Sequence, residues 1–107
     1  LAQDPNCEIA LENIAVNYIL QAQNLKEKTA MMTDRQQQVA NDKITVEYYL
    51  KSLPPLEKFV ELLKERNADP GILESALLKL RNVYYNLSGL GVDKSAELKI
   101  IEEQLDL

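Results

Sequence analysis

The strongest constraint on the fold is a long segment without helix breakers. Residues 6–53 contain neither Gly nor Pro and are rich in Ala, Leu, Gln, Glu and Lys, all of which favour helix. A sandwich or barrel of many strands needs frequent turn residues, and the whole chain has only 3 Gly and 4 Pro. The segment therefore predicts an all-α protein. Asp4 is expected to be the N-cap of its first helix, with Pro5 as the first helical residue.

A seven-residue apolar repeat runs through the same segment. Its members are Leu11, Tyr18, Leu25, Met32, Val39, Val46 and Leu53. The companion positions three residues later are apolar at the two ends of the segment and polar in its middle, whereas a complete coiled coil needs apolar residues at both positions. The repeat favours one continuous helix over residues 4–53, up to about 70 Å long, with a weakly packed middle.

A helical hairpin is the other interpretation of this segment. Thr33 and Gln36 have the spacing of a capping box, in which Thr is the N-cap and Gln is the third helical residue. One helix would then end near Met31, and residues 34–52 would form a second, antiparallel helix. No Gly marks the end of the first helix, which favours the continuous helix, but the sequence leaves both interpretations open.

Three shorter helices are expected in the second half of the chain. Leu53-Pro54-Pro55 is expected to end the preceding helix, because Pro lacks a backbone N–H and disfavours helical geometry in the residue before it. The three helices are predicted over residues 56–66, over 70–88 after an Asp-Pro start, and over 94–106 with Asp93 as the cap. Left-handed residues at Gly89 and Gly91 are expected to end the middle one.

The whole chain is therefore predicted to be a single all-α domain over residues 1–107. Its long N-terminal helix, or the helical hairpin in its place, spans residues 4–53. This element is expected to pack with a compact three-helix segment, residues 54–107, in a coiled-coil-like bundle.

The composition argues against catalysis and metal binding. The chain has no His, which removes the commonest general base and the commonest zinc ligand. Cys7 is the only Cys, so it can form neither an internal disulfide nor a Cys-rich metal site. The Gly89-Leu90-Gly91 stretch lacks the third Gly of a dinucleotide-binding loop and follows a helix. We expect no enzyme activity, no catalytic residue, no cofactor and no metal.

Charge limits the expected partners. The net charge is −5, from 17 acidic and 12 basic residues, and no basic cluster stands out, so nucleic acid is not expected to bind. No apolar run approaches the ~20 residues that span a bilayer, so membrane insertion is not expected. One unpaired Cys is typical of a reducing compartment, and we expect an intracellular, cytoplasmic protein.

Several apolar residues lie off the main helical stripes. Leu78 and Tyr85 are seven residues apart and lie opposite the main apolar stripe of their helix. A helix that is apolar on two faces is buried on two sides, either within its own bundle or against another chain. In the pairs Tyr48-Tyr49 and Tyr84-Tyr85, one Tyr is expected to be packed and the other partly exposed.

These patterns predict a non-enzymatic protein–protein interaction module, such as a subunit, adaptor or chaperone of a helical assembly. Its partner would be a second copy of the chain or another helical chain. The residues expected at the interface are Leu25, Met32, Val39, Val46, Leu78 and Tyr85. The alternative is a helical bundle that binds a small ligand in an apolar cavity between its helices.

Overall fold

A computed structural model describes residues 5–106 of the chain. They form four helices: α1 (Pro5–Ala30), α2 (Arg35–Glu65), α3 (Pro70–Gly89) and α4 (Ser95–Gln104). No strand occurs in this part of the chain, and the predicted all-α class is confirmed. Asp4, the expected N-cap of the first helix, lies outside the described residues.

The N-terminal half is a hairpin, so the interpretation as one continuous helix is wrong. α1 ends at Ala30, and α2 begins at Arg35 after a short turn. The N-cap of α2 is Asp34, one residue later than the Thr33 of the proposed capping box. The Asp34 carboxylate accepts a hydrogen bond from the backbone N–H of Gln36 at 2.9 Å. Breaking the helix here lets its two halves bury their faces against each other.

Side chains of α2 hold the turn in place. The Gln38 side-chain amide donates to the backbone carbonyl of Met32 at 2.6 Å. The Asn41 side-chain amide lies 3.3 Å from the Met32 sulfur. Met32 therefore belongs to the turn of the hairpin rather than to a helix face.

Small side chains recur at a regular spacing on the buried faces of α1 and α2. On α1, Ala15, Ala22 and Thr29 recur every seven residues and are buried; on α2, Thr45 and Ser52 have the same spacing and are fully buried. The buried hydroxyls donate to carbonyl groups of their own helix, such as Thr45 to Asn41 at 2.9 Å. Among the described residues, no buried side-chain N or O atom lacks a partner.

α2 does not end before its two prolines. It continues through Pro54 and Pro55 to Glu65, so the expected stop at Leu53 and the separate helix over 56–66 are both wrong. The segment predicted as three helices consists instead of the end of α2, followed by α3 and α4.

The location of the two prolines explains why the helix survives. Each Pro leaves one carbonyl of the preceding turn without its helical donor, here those of Leu50 and Lys51. Both residues and Pro54 are exposed, so water can reach this side of the helix. The other side of the same turns buries Leu53 and Leu56 in the core, which offsets the lost hydrogen bonds.

α3 ends where the glycine pattern predicts. Gly91 has a φ of 94°, and its N–H bonds to the Ser88 carbonyl at 3.2 Å, while the Val92 N–H bonds to the Leu87 carbonyl at 2.9 Å. This is a Schellman motif with Gly91 in the left-handed position. Gly89 is the last residue of the helix itself, so its expected left-handed conformation is wrong.

α4 is shorter than the predicted 94–106. Lys94 is its N-cap and makes no side-chain capping bond. The Asp93 carboxylate, expected to be the cap, instead accepts hydrogen bonds from the Ser95 hydroxyl at 2.6 Å and from its N–H at 3.0 Å. These bonds lower the pKa of Asp93.

The four helices share one core. α2 packs against both α1 and α3, and α4 packs against α3. The largest side chains fully buried there are Tyr49, Leu56, Leu63, Leu87 and Val83. Each tyrosine pair divides as expected, because Tyr49 and Tyr84 are buried while Tyr48 is half-buried and Tyr85 is exposed. No helix in residues 5–106 is long and apolar enough to cross a bilayer.

Candidate protein-interaction site

The last turns of α3 lie near the turn end of the α1–α2 hairpin. Leu90, the C-cap residue of α3, lines one groove with Val39 and Val46 of α2. On α1, the Lys26 ammonium reaches the Asn86 side chain in the last turns of α3 at 2.5 Å. Val39 is 41% exposed.

A groove lies between this side of α2 and the end of α3. It has a volume of about 450 Å³ and is lined by Val39, Asp42, Lys43, Val46, Glu47 and Leu90. We call it the α2–α3 groove. The three apolar side chains come from two helices, while the three charged side chains all come from α2 and include both signs.

A second groove lies between α1 and α2. It has a volume of about 390 Å³ and is lined by Gln21, Asn24, Leu25, Lys28, Ile44 and Tyr48. We call it the α1–α2 groove. Ile44 and Val46 are two residues apart, and at about 100° per residue their side chains leave α2 on nearly opposite sides. The two grooves therefore flank the same stretch of α2.

A third groove is smaller and lies between α3 and α4. It has a volume of about 250 Å³ and is lined by Pro70, Leu73, Glu74, Leu77, Gln104 and Leu105. Leu77 is a core residue, and Leu73 and Leu105 are packed against the core, so this groove is the seam between two packed helices.

The six residues predicted at the interface do not form one surface. Val39 and Val46 lie together in the α2–α3 groove, and Leu25 lies across α2 in the α1–α2 groove. Leu78 and Tyr85 are exposed on the outer face of α3, away from both of these grooves, and Met32 is in the turn.

Among the large apolar and aromatic residues that line these two grooves, the sequence prediction missed three. Ile44 and Tyr48 are four residues apart on α2, which is the spacing of one helical face, so this pattern could have revealed them. The seven-residue repeat instead indicated Val39 and Val46, which lie on the other side of the helix. Leu90 comes from the end of α3, and no local pattern links it to Val39.

The perturbed tyrosines lie in the core rather than in the grooves. Burial, together with a hydrogen bond to the Glu57 carboxylate, raises the pKa of Tyr84, and burial alone raises the pKa of Tyr49. Among the described residues, no group of three or more His, Cys, Asp or Glu side chains could hold a metal ion. The grooves offer apolar surface and a few charges, which suits binding by burial.

Comparisons with protein-family models, with curated proteins and with solved structures find no match to this chain.

Proposed function

We propose that the chain is a non-enzymatic protein–protein interaction module, acting as a subunit, adaptor or chaperone of a helical assembly. The observation that carries the proposal is the α2–α3 groove, where Val39, Val46 and Leu90 line a space of about 450 Å³. Covering the exposed part of these three side chains would favour binding, by less than the ~1.5–3 kcal/mol that burying each from full exposure would give, because Val46 and Leu90 are already half-buried.

The groove suits a helical partner. Val39 and Val46 are seven residues apart on one helix, which corresponds to about 10.5 Å along its axis. A helix laid into a groove presents apolar anchors at the same spacing of two turns. The charged side chains of Asp42, Lys43 and Glu47 lie at the same groove, where they could orient the partner.

A small-molecule ligand is the second candidate. The volume of the α2–α3 groove falls within the range of about 300–1,000 Å³ that is common for ligand pockets. Such pockets usually enclose most of the ligand surface, whereas Val39 is 41% exposed on the side of α2. An added apolar ligand that raises the melting temperature of a monomer would favour this candidate.

The double variant Val39→Asp, Val46→Asp tests the proposal. Two carboxylates in the groove should abolish self-association or partner binding. Self-association is measured by light scattering. Partner binding is measured by comparing the host proteins that co-purify with the tagged wild type and with the tagged double variant. Ile72→Asp is the matched control, because Ile72 is 47% exposed and lines none of the three grooves. Circular dichroism checks that each variant folds. An unchanged mass and an unchanged set of retained proteins in the double variant would refute the proposal.

A further inference from the structure

We infer that a second surface, the open face of the α1–α2 hairpin, binds an amphipathic helix whose apolar stripe is flanked by acidic side chains. The inference rests on the proposed interaction role, but it uses a different side of α2 from the α2–α3 groove. We define the open face by Ile14, Tyr18, Leu25, Ile44 and Tyr48.

α3 covers the other face of the hairpin. From α1, the Glu12 carboxylate lies 3.9 Å from the Lys79 ammonium of α3, and Lys26 reaches Asn86. From α2, the Glu57 carboxylate accepts the hydrogen bond of the Tyr84 hydroxyl. The open face contains none of these residues, since its members lie on other sides of α1 and α2 at about 100° per residue.

The open face is apolar and unburied. Ile14 is 49% exposed and Ile44 is 42% exposed, while the other three members are half-buried. The rings of Tyr18 and Tyr48 join the two helices across this face, with centroids 6.5 Å apart and planes inclined at 31°. Tyr is enriched in interface hot spots because it combines a large apolar ring with a hydrogen-bonding hydroxyl.

The acidic residues of α1 lie away from this face. Glu8 bonds to Arg66 at 2.8 Å, and Glu12 pairs with Lys79. Glu27 is nine residues after Tyr18, so at about 100° per residue it lies on the opposite side of α1. The edge of the open face on α1 therefore carries neutral amides, followed by Lys28.

The same edge on α2 carries both signs, with the lysine nearer the face. Lys51, seven residues after Ile44, is exposed and lies about 20° from it around the helix, whereas Glu47, three residues after Ile44, lies about 60° from it and lines the α2–α3 groove. Neither Lys28 nor Lys51 forms an ion pair within residues 5–106. A chain with a net charge of −5 thus presents, beside its exposed apolar hairpin face, two lysines that pair with no acid among the described residues.

Charge complementarity selects the partner. Acidic side chains beside an apolar stripe would pair with Lys28 and Lys51, whereas a basic helix would meet these two lysines with only the more distant Glu47 to balance them. Two copies docked through the same face would both carry this excess of positive charge, which disfavours self-association there. The α1–α2 groove, with Leu25, Ile44 and Tyr48, would receive an apolar anchor of the bound helix.

Two synthetic peptides test the inference on the full chain. Both are fluorescent amphipathic helices with the same leucine stripe, flanked by Glu in one and by Lys in the other. Fluorescence anisotropy should show that the acidic peptide binds at least about tenfold more tightly at low salt, and that raising the salt narrows the difference. Equal affinity for the two peptides, or tighter binding of the basic one, would overturn the inference.

Charge reversal locates the binding face. Lys28→Glu with Lys51→Glu should reverse the preference between the peptides, and Ile44→Asp should weaken both. Arg35→Glu with Lys99→Glu is the matched control, because these two exposed basic residues lie outside the open face and line none of the three grooves, so this variant should leave the preference unchanged. A preference that survives reversal of Lys28 and Lys51 would contradict the inference. So would a wild-type dimer that Ile44→Asp dissociates, because the face would then bind a second copy.

The two proposals fail separately. Val39→Asp with Val46→Asp should leave binding of the acidic peptide unchanged, because both side chains line the other groove. If the chain shows no preference for the acidic peptide but the double variant still abolishes assembly, only the open-face inference is refuted. If the chain prefers the acidic peptide but the double variant leaves assembly unchanged, only the role of the α2–α3 groove is refuted.

Discussion

The hydroxyl of Tyr84 on α3 donates a hydrogen bond to the carboxylate of Glu57 on α2. Tyr84 is 4% exposed, so the bond joins a core ring to an exposed acid at the edge of the helix pair. A hydrogen bond to an ionised group contributes more than a neutral one and fixes how the two helices lie against each other. The bond between Tyr84 and Glu57 should therefore contribute to the stability of the fold.

Tyr84→Phe should lower the free energy of unfolding by about 1.5–3 kcal/mol, the range for a hydrogen bond to a charged group. Phe fills nearly the same volume, so little packing is lost and the change reports on the bond. Urea denaturation followed by circular dichroism measures it. Tyr85→Phe is the control, because Tyr85 is 63% exposed, and its stability should match that of the wild type.

Alkaline pH should destabilise the fold through the same residue. Burial, the Glu57 bond and nearby carboxylates raise the pKa of Tyr84 above its ordinary value of 10.0. Below pH 10 the phenol is protonated in both the folded and the unfolded state, so its contribution is constant. Above pH 10 the unfolded state releases this proton first, so stability falls as the pH rises.

The measurement is a set of denaturation curves between pH 8 and pH 11. Tyr84→Phe should lose less stability than the wild type over this range, because the ionising group is gone. Some loss should remain in the variant, since burial also raises the pKa of Tyr49. Parallel curves for the two proteins would show that Tyr84 is not the group responsible.

Two helix ends offer a matched test of backbone conformation. Asn67, at the end of α2, has a φ of 51°, and Gly91, at the end of α3, has a φ of 94°. Asn67→Gly should stabilise the fold by about 0.5–1 kcal/mol, and Gly91→Ala should destabilise it by about 1–2 kcal/mol. A Cβ at Gly91 would meet no atom within 4 Å, so the expected loss comes from the backbone alone. Thermal melts that shift in the same direction for both variants would contradict this account.

The hairpin could be predicted only as an alternative, for a physical reason. The seven-residue repeat continues from α1 through Met32 of the turn into α2, so the turn leaves no gap in it. The most deeply buried positions of the two helices include Ala15, Ala22 and Thr45, which a search for large apolar residues does not count. The residues of the repeat lie beside the stripe that these small buried residues form. Tyr18 of the repeat, for example, is only half-buried.

The candidate site could be predicted only in part, because part of it depends on how the helices pack. The spacing of Val39 and Val46 places them on one side of α2, and the structure brings them into one groove. Leu90 completes that groove only because α3 ends there, which depends on the length of α3 and on how it packs against α2. Which charged residues border the open face likewise depends on which side of the hairpin α3 covers.

Enlarging a small residue between α1 and α2 should destabilise the hairpin. Ala22 is 0% exposed in the core, and Ala22→Leu adds three carbon atoms where the helices are closely packed. The expected cost is about 1–3 kcal/mol of unfolding free energy, measured by urea denaturation. Ala10→Leu is the matched control, because Ala10 is exposed on the same helix and its stability should hardly change. Equal effects of the two substitutions would mean that this contact is not tightly packed.

The two prolines of α2 give the last prediction. Pro54 is exposed and supplies no N–H to the Leu50 carbonyl, so Pro54→Ala should restore that bond while leaving the core face of the helix unchanged. Pro costs about 3 kcal/mol relative to Ala inside a helix, and part of the gain is offset because Pro also restricts the unfolded chain. The variant should therefore be about 1–2 kcal/mol more stable in urea denaturation. Lys51→Ala, an exposed change in the adjacent turn, is the control and should change stability by less than about 0.5 kcal/mol. A loss of stability in Pro54→Ala would mean that the bend imposed by the proline is needed to fit α2 against its neighbours.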